Sequence, residues 1–162
     1  IALLPQMSGG GQEGGLRSGT ENVPGIAGFA KACQIAREIS VINWEKLSKL
    51  RKYCINMLKE KIPAVIINGP EEEHVSPYIL NISIPGLRGE VLVHGLEKEE
   101  VLVSTGSACS SKKDIISPVL QAMGIDRETA LGSIRVSFSY QTKEEDILIF
   151  VDKMSRVVNR LL

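Results

Sequence analysis

Cys109 sits in the run Val103-Ser104-Thr105-Gly106-Ser107-Ala108-Cys109-Ser110-Ser111, and the paired Lys112-Lys113 follow at once. The thiolate is the nucleophilic form of cysteine, and neighbouring cations and backbone donors lower a thiol's pKa. Lys112, Lys113 and the amides of such a loop can supply both. The residues around the sulfur are small or hydroxyl-bearing, and Gly106 admits backbone angles closed to other residues. The segment reads as a loop displaying a cysteine. The plainer alternative is an ordinary buried thiol, where free cysteines usually lie. Arg135 is a second candidate. Strict alternation over Ser133–Phe138 puts Arg135 on one strand face with Ser133 and Ser137, and Ile134, Val136 and Phe138 on the other. A planar guanidinium among serines suits recognition of a carboxylate, although the local sequence alone favours a solvent-facing strand arginine. A third candidate lies in residues 8–20, which hold six of the fifteen glycines together with Arg17 and Thr20. Glycine-rich loops bring bare N–H groups close to a phosphate, and Arg17 and Thr20 add a charge and a hydroxyl. Flexible linkers share this composition, and no Gly-Lys-Ser/Thr follows, so the segment is not a Walker A loop.

The remaining reactive side chains point to structure. Cys33 and Cys54 fall on apolar stripes and are expected to pack. His74 follows Glu71-Glu72-Glu73 and is expected to be exposed; His94 lies in an apolar helical pattern and is expected to be partly buried. Two isolated histidines without paired acids offer no metal site. Glu97, Glu99 and Glu100 read as a solvated helix end. The 19 basic residues equal the 19 acidic ones, which advertises neither nucleic acid nor a membrane surface as partner. No apolar run is long enough to span a bilayer. Ile1-Ala2-Leu3-Leu4-Pro5 lacks the basic start and apolar core of a signal peptide. Three cysteines without a C-x-x-C argue against a disulfide framework and fit a reducing cytoplasm.

These residues need elements to hold them. Asn22 is a plausible N-cap with Pro24 in the first turn, and Ile26, Phe29, Ala30, Cys33 and Ala36 recur at helical spacing. A second helix is expected from about Asn43 to Lys61, striped by Trp44, Leu47, Leu50, Cys54 and Leu58 and stopped by Pro63. Strands are expected at Ala64–Asn68 and Tyr78–Ile84, ended by Gly69-Pro70 and Pro85-Gly86. A short helix from Gly89 to Lys98 buries Val91, Leu92, Gly95 and Leu96. Leu102-Val103 forms a brief strand into the cysteine loop. Ile115, Ile116, Val119, Leu120 and Met123 mark a helix ended by Gly124. The strand at Ser133–Phe138 is expected inside the sheet. Thr142 and Glu145 form a capping box for a last helix lined by Ile147, Val151, Met154, Val158 and Leu161. The class is α+β, a small mixed or antiparallel sheet covered by helices.

Three stretches in order carry a resemblance: Gly9-Gly10-Gly11-Gln12-Glu13 leading to Arg17-Ser18-Gly19-Thr20-Glu21-Asn22; Ser104-Thr105-Gly106-Ser107-Ala108-Cys109-Ser110-Ser111; and Gly132-Ser133-Ile134-Arg135-Val136-Ser137. Together they resemble cysteine desulfurases of the NifS/IscS type, of the class V aminotransferase family, over essentially the whole chain. Gly14, where the family commonly has a larger residue, departs from the pattern. The resemblance implies the small C-terminal domain of a pyridoxal 5'-phosphate enzyme of the aspartate-aminotransferase fold (fold type I), usually a homodimer. Residues 1–22 would be the end of the large cofactor domain, and residues 23–162 the small domain with its linking helices. It implies conversion of L-cysteine to L-alanine, with the sulfur held as a persulfide on Cys109. The sulfur would pass to an acceptor protein: an iron–sulfur scaffold, a tRNA-thiolating enzyme or a small carrier. Arg135 would bind the substrate carboxylate, and Thr20 would reach the cofactor phosphate of the partner subunit. The family's cofactor-anchoring lysine lies before the glycine-rich motif, and no lysine here matches it. The chain, which opens on Ile1, is therefore expected to be a C-terminal portion and inactive alone. A cofactor-free sulfur carrier and a selenocysteine lyase are the alternatives.

Overall fold

The computed structural model describes residues 3–70, 75–105 and 116–162. The chain divides into two compact units, Ile1–Val41 and Ile42–Leu162, and the division falls inside a helix.

In the first unit a 3₁₀ turn at Glu13–Gly15 follows the first glycines. Gly11, Gly14, Gly15 and Gly19 take φ of 79°, 63°, 82° and 115°, a left-handed region in which a Cβ is penalised. Met7 and Arg17 form an isolated bridge, closed by Ser18 N donating to Met7 O at 3.3 Å. Helix α1 runs Val23–Lys61 and merges the two helices expected from sequence. Residues 37–43 contain neither Gly nor Pro, and their β-branched residues lower helix propensity without breaking the backbone ladder. The apolar stripe of the first half, including Ile26 and Phe29, is exposed. Cys33 is exposed too, contrary to its expected packing role.

The second unit is built on a three-stranded antiparallel sheet in the order β1 (Ile66–Ile67), β2 (Ile79–Ser83), β3 (Ser133–Ser137). β2 is therefore central and β3 lies outside it, not inside the sheet as expected; beyond β3 only Ser104 pairs, through a single bridge, among the described residues. The expected strand at Leu102-Val103 reduces to that bridge. One sheet face is apolar: Leu80, Ile82 and Ile134 are fully buried and Val136 nearly so. They share a core with Leu47, Cys54 and Leu58 of α1, Leu92 and Leu96 of α2 (Gly89–Glu97), and Val151 and Met154 of α5 (Glu144–Leu161). Phe138 joins them, as the alternation predicts. Val91 and Leu161, expected inside, are exposed.

Two short helices, α3 (Pro118–Ala122) and α4 (Arg127–Leu131), connect α2 to β3. The apolar pattern marked α3, but α4 was not anticipated: five polar-rich residues carry no periodicity. Its signal is the Asp126 cap, whose Oδ1 accepts from Thr129 N at 3.0 Å. The cap of α5 also differs from expectation. Asp146, not Glu145, reaches back to accept from Lys143 N at 2.9 Å, while Thr142 Oγ1 accepts from Ser139 N in the preceding turn. His94 is exposed beside Glu97 rather than partly buried, and His74 lies outside the described residues. Glu99 is not merely solvated: it accepts from Arg160 Nη2 at 2.7 Å, and that bond holds its carboxyl below the usual range.

Candidate active site

Arg135 takes its place from the strand register. In the β2–β3 ladder Asn81 lies opposite Arg135, Ile79 opposite Ser137 and Ser83 opposite Ser133. These residues share the sheet face turned away from the apolar core, because strand side chains alternate. The rung extends both ways. Asn68, just past β1, donates its backbone N–H to Asn81 O at 2.9 Å; on the other side Arg135 N donates to Ser104 O at 2.6 Å and Ser104 N to Arg135 O at 3.2 Å. Asn68, Asn81, Arg135 and Ser104 thus form one polar row across the sheet. Two glycines set where this row begins. A Cβ on Gly89, the first residue of α2, would collide with the Ser133 carbonyl, and one on Gly132 would come 2.8 Å from Leu87 O.

A cavity of about 510 Å³ opens over the row. Asn68, Asn81, Arg135 and Arg51 line its polar side, and Ile79 with Val119 of α3 and Met123 just after it supply apolar wall. No acidic side chain lines it among the described residues. Arg51 is buried; its Nε donates to Ile79 O at 3.2 Å and its Nη2 to Pro70 O at 3.1 Å, tying α1 to the sheet. Sequence reasoning missed Arg51, yet Leu47, Arg51, Cys54 and Leu58 follow the i, i+4, i+7, i+11 spacing of a buried stripe. Asn68, Asn81 and Ser83 were missed as well, because each reads as a polar interruption of a strand. Asn68 Nδ2 donates to Asn81 Oδ1 at 2.6 Å and to Ser83 Oγ at 2.7 Å, and Ser83 Oγ donates to Thr129 O at 2.8 Å. The buried Asn68 Oδ1 has no partner among the described residues.

Of the three predicted site residues, Arg135 is on the cavity floor, exposed enough to meet a ligand. Thr20 belongs to the first unit, where it is exposed. In its loop Gly15 N donates to Gly11 O and Gln12 O, and Gly19 N to Gln12 Oε1 at 3.2 Å. Those two amides are used within the loop; Arg17 Nη1 donates to Ser18 O at 3.3 Å, and Arg17 and Thr20 are both exposed. Cys109 lies outside the described residues. Of the other two thiols, Cys54 is buried, and burial pushes it up to about 12 against a smaller opposing pull from Arg51; it is no nucleophile at neutral pH.

Residues 6–150 match the family described as aminotransferase class-V. The cysteine desulfurase IscS of Clostridium botulinum is 39% identical over 161 residues, 99% of this chain and 41% of that protein. Among solved structures, a NifS-like protein superposes with a TM-score of 0.81 at 36% identity, covering 96% of this chain and 39% of the other. The NifS-like protein from Rickettsia africae gives 0.79 at 32% identity, covering 98% and 41%. The chain thus spans about two fifths of the length of these relatives, aligned with their C-terminal portion, and its α+β fold is part of a fold-type-I pyridoxal-phosphate domain. By sequence and by fold, the chain belongs to the aminotransferase class-V family.

Proposed function

We propose that the chain carries the carboxylate anchor and the sulfur-accepting cysteine of a pyridoxal-phosphate-dependent cysteine desulfurase. One observation supports this above the rest: the pair of backbone hydrogen bonds between Ser104 and Arg135. They root the segment leading to Cys109 beside the strand that carries the guanidinium. Cys109 is five positions after Ser104, so the covalent chain alone keeps them within about 18 Å. In this reading Arg135 binds the carboxylate of L-cysteine in the cavity, where two cations and no acid line the wall among the described residues. The Cys109 thiolate attacks the substrate Sγ. The S–S bond forms, the Cβ–Sγ bond breaks, Cβ takes a proton, L-alanine leaves and Cys109 keeps the sulfur as a persulfide. A thiolate of an acceptor protein then takes the terminal sulfur, and Cys109 is restored as a thiolate.

The donor set of the first unit fits the phosphate end of the cofactor: Arg17 and Thr20 offer a cation and a hydroxyl on an exposed glycine-rich loop. They would hold the phosphate of the cofactor bound by the partner subunit. When bound, pyridoxal phosphate supplies the electron sink that Cβ–S cleavage requires. The lysine that anchors it has no match in this chain.

The test uses the full-length parent. Cys109→Ser is expected to keep cofactor and L-cysteine binding and to lose the enzyme-bound persulfide. Arg135→Ala is expected to weaken L-cysteine binding by about 2–5 kcal/mol, the cost of leaving a charge without its partner. Undiminished persulfide on the enzyme after Cys109→Ser would refute the assignment.

A further inference from the structure

We propose that Asn81 is a second carboxylate-binding residue beside Arg135, held with its N–H₂ toward the cavity by a relay from the Thr129 carbonyl through Ser83 and Asn68. The inference rests on the desulfurase reading for the identity of the carboxylate, and goes beyond it in assigning these three residues. The orientation of an asparagine amide follows from hydrogen-bond bookkeeping, and here the bookkeeping starts from a group with no choice. Thr129 O is a carbonyl and can only accept. The single hydroxyl hydrogen of Ser83 goes to it, at 2.8 Å. Ser83 Oγ must therefore accept from the Asn68 atom 2.7 Å away, which fixes that atom as Nδ2. The same Nδ2 lies 2.6 Å from the side chain of Asn81, which must offer Oδ1 in return. The Asn81 amide nitrogen is then left on the other side of the group, and Asn81 is a cavity residue.

Asn81 is also the cross-strand partner of Arg135, and such side chains stand about 4.5–5.5 Å apart at Cβ on one face. The polar floor between them is a donor surface, a guanidinium next to an amide N–H₂. It complements the two oxygens of a carboxylate and opposes a neutral amide, which would bring donors of its own. The buried Asn68 oxygen has no partner among the described residues, which is a cost of this orientation that the two hydrogen bonds of its Nδ2 offset. Ser83 is a positioning residue outside the cavity lining, and Asn68, itself at the cavity wall, spends its Nδ2 on orienting Asn81.

The experiment compares L-alanine with L-alaninamide, binding to the full-length, cofactor-loaded enzyme, by calorimetry. Asn81→Leu is expected to weaken L-alanine about tenfold, the loss of one hydrogen bond to a charged group, and to leave L-alaninamide unchanged. The KM for L-cysteine should rise while kcat stays within about twofold, since the bond is equally present before and during reaction. Asn81→Asp has the same shape and keeps Oδ1 for Asn68, so it decides the matter if the leucine variant fails to fold: it should bind L-alaninamide better than L-alanine. Ser83→Ala should produce a smaller loss of the same selectivity. Equal weakening of both ligands, or no change in either, would overturn the proposal. If Arg135→Ala leaves L-alanine binding intact, the desulfurase reading of the anchor fails instead, and the two failures are told apart.

Discussion

Cys33 and Cys54 show how far surroundings decide what a thiol can do. Both fall on helical apolar stripes, yet Cys33 is exposed and Cys54 is buried among Leu47, Ile55 and Leu58 in the core of the second unit. With Cys54 pushed up to about 12 by burial, its thiolate fraction near pH 8 is negligible. Iodoacetamide at pH 8 should label Cys33 on the native chain within minutes and leave Cys54 untouched until urea unfolds it. Mass mapping that finds both labelled at similar native rates would contradict the burial. Sequence exposed the alternation that aims Arg135 away from the core, since period 2 is a local property. It could not expose Asn68, Asn81 and Ser83 as a set: they lie 13 and 15 residues from one another's first member in sequence, and only strand register makes them neighbours.

At the level of elements, the strands and long helices were legible because burial imposes a period on them, whereas boundaries and short connectors were not. The merging of two expected helices into α1 reflects a helix whose first part is exposed all round and whose buried stripe begins only at Leu47, which mimics an interruption. The capping of α5 shifted by one acid because Glu144, Glu145 and Asp146 are consecutive and only geometry chooses among them. Close approach is equally invisible in sequence. Gly89→Ala should cost about 1–3 kcal/mol in urea unfolding, because its Cβ meets the Ser133 carbonyl. Gly28→Ala, in α1 with open space around it, should instead stabilise by about 0.5–1 kcal/mol. Similar effects at both sites would show that helix propensity, not packing, governs Gly89. Two carboxylates give the fold an acid limb. Asp126, bonded to Thr129, and Glu99, bonded to Arg160, are both held below their ordinary values. Their contribution is present above the unfolded carboxylate range and lost as pH falls through the lower folded values. The urea midpoint should therefore fall below about pH 4, and less steeply in the double variant Asp126→Asn, Glu99→Gln, which keeps an amide at each position.

The whole molecule leaves apolar side chains in water throughout the first unit: Leu3, Leu4, Met7, Val23, Ile26 and Phe29 are all exposed. Contiguous apolar surface promotes association, and sedimentation is expected to show concentration-dependent self-association. A single monomeric species from micromolar to millimolar concentration would argue against it. Given pyridoxal phosphate and L-cysteine, the chain alone is expected to release no L-alanine, since no lysine matches the cofactor anchor; sustained release detected by mass spectrometry would sink that reading.

The polar row across the sheet also bears on how the site is inherited. A strand's reading frame is binary, and insertion or deletion of one residue in β2 exchanges its two faces. Such a change would deliver Leu80 or Ile82 to the cavity and Asn81 to the interior in the same stroke. Selection against unfolding therefore guards the side chains proposed to bind the carboxylate, without any selection on activity. Point substitution can replace Asn81 or Arg135 while the shape is kept, so in a lineage released from the proposed chemistry the frame of β2 and β3 should persist long after those two residues have drifted.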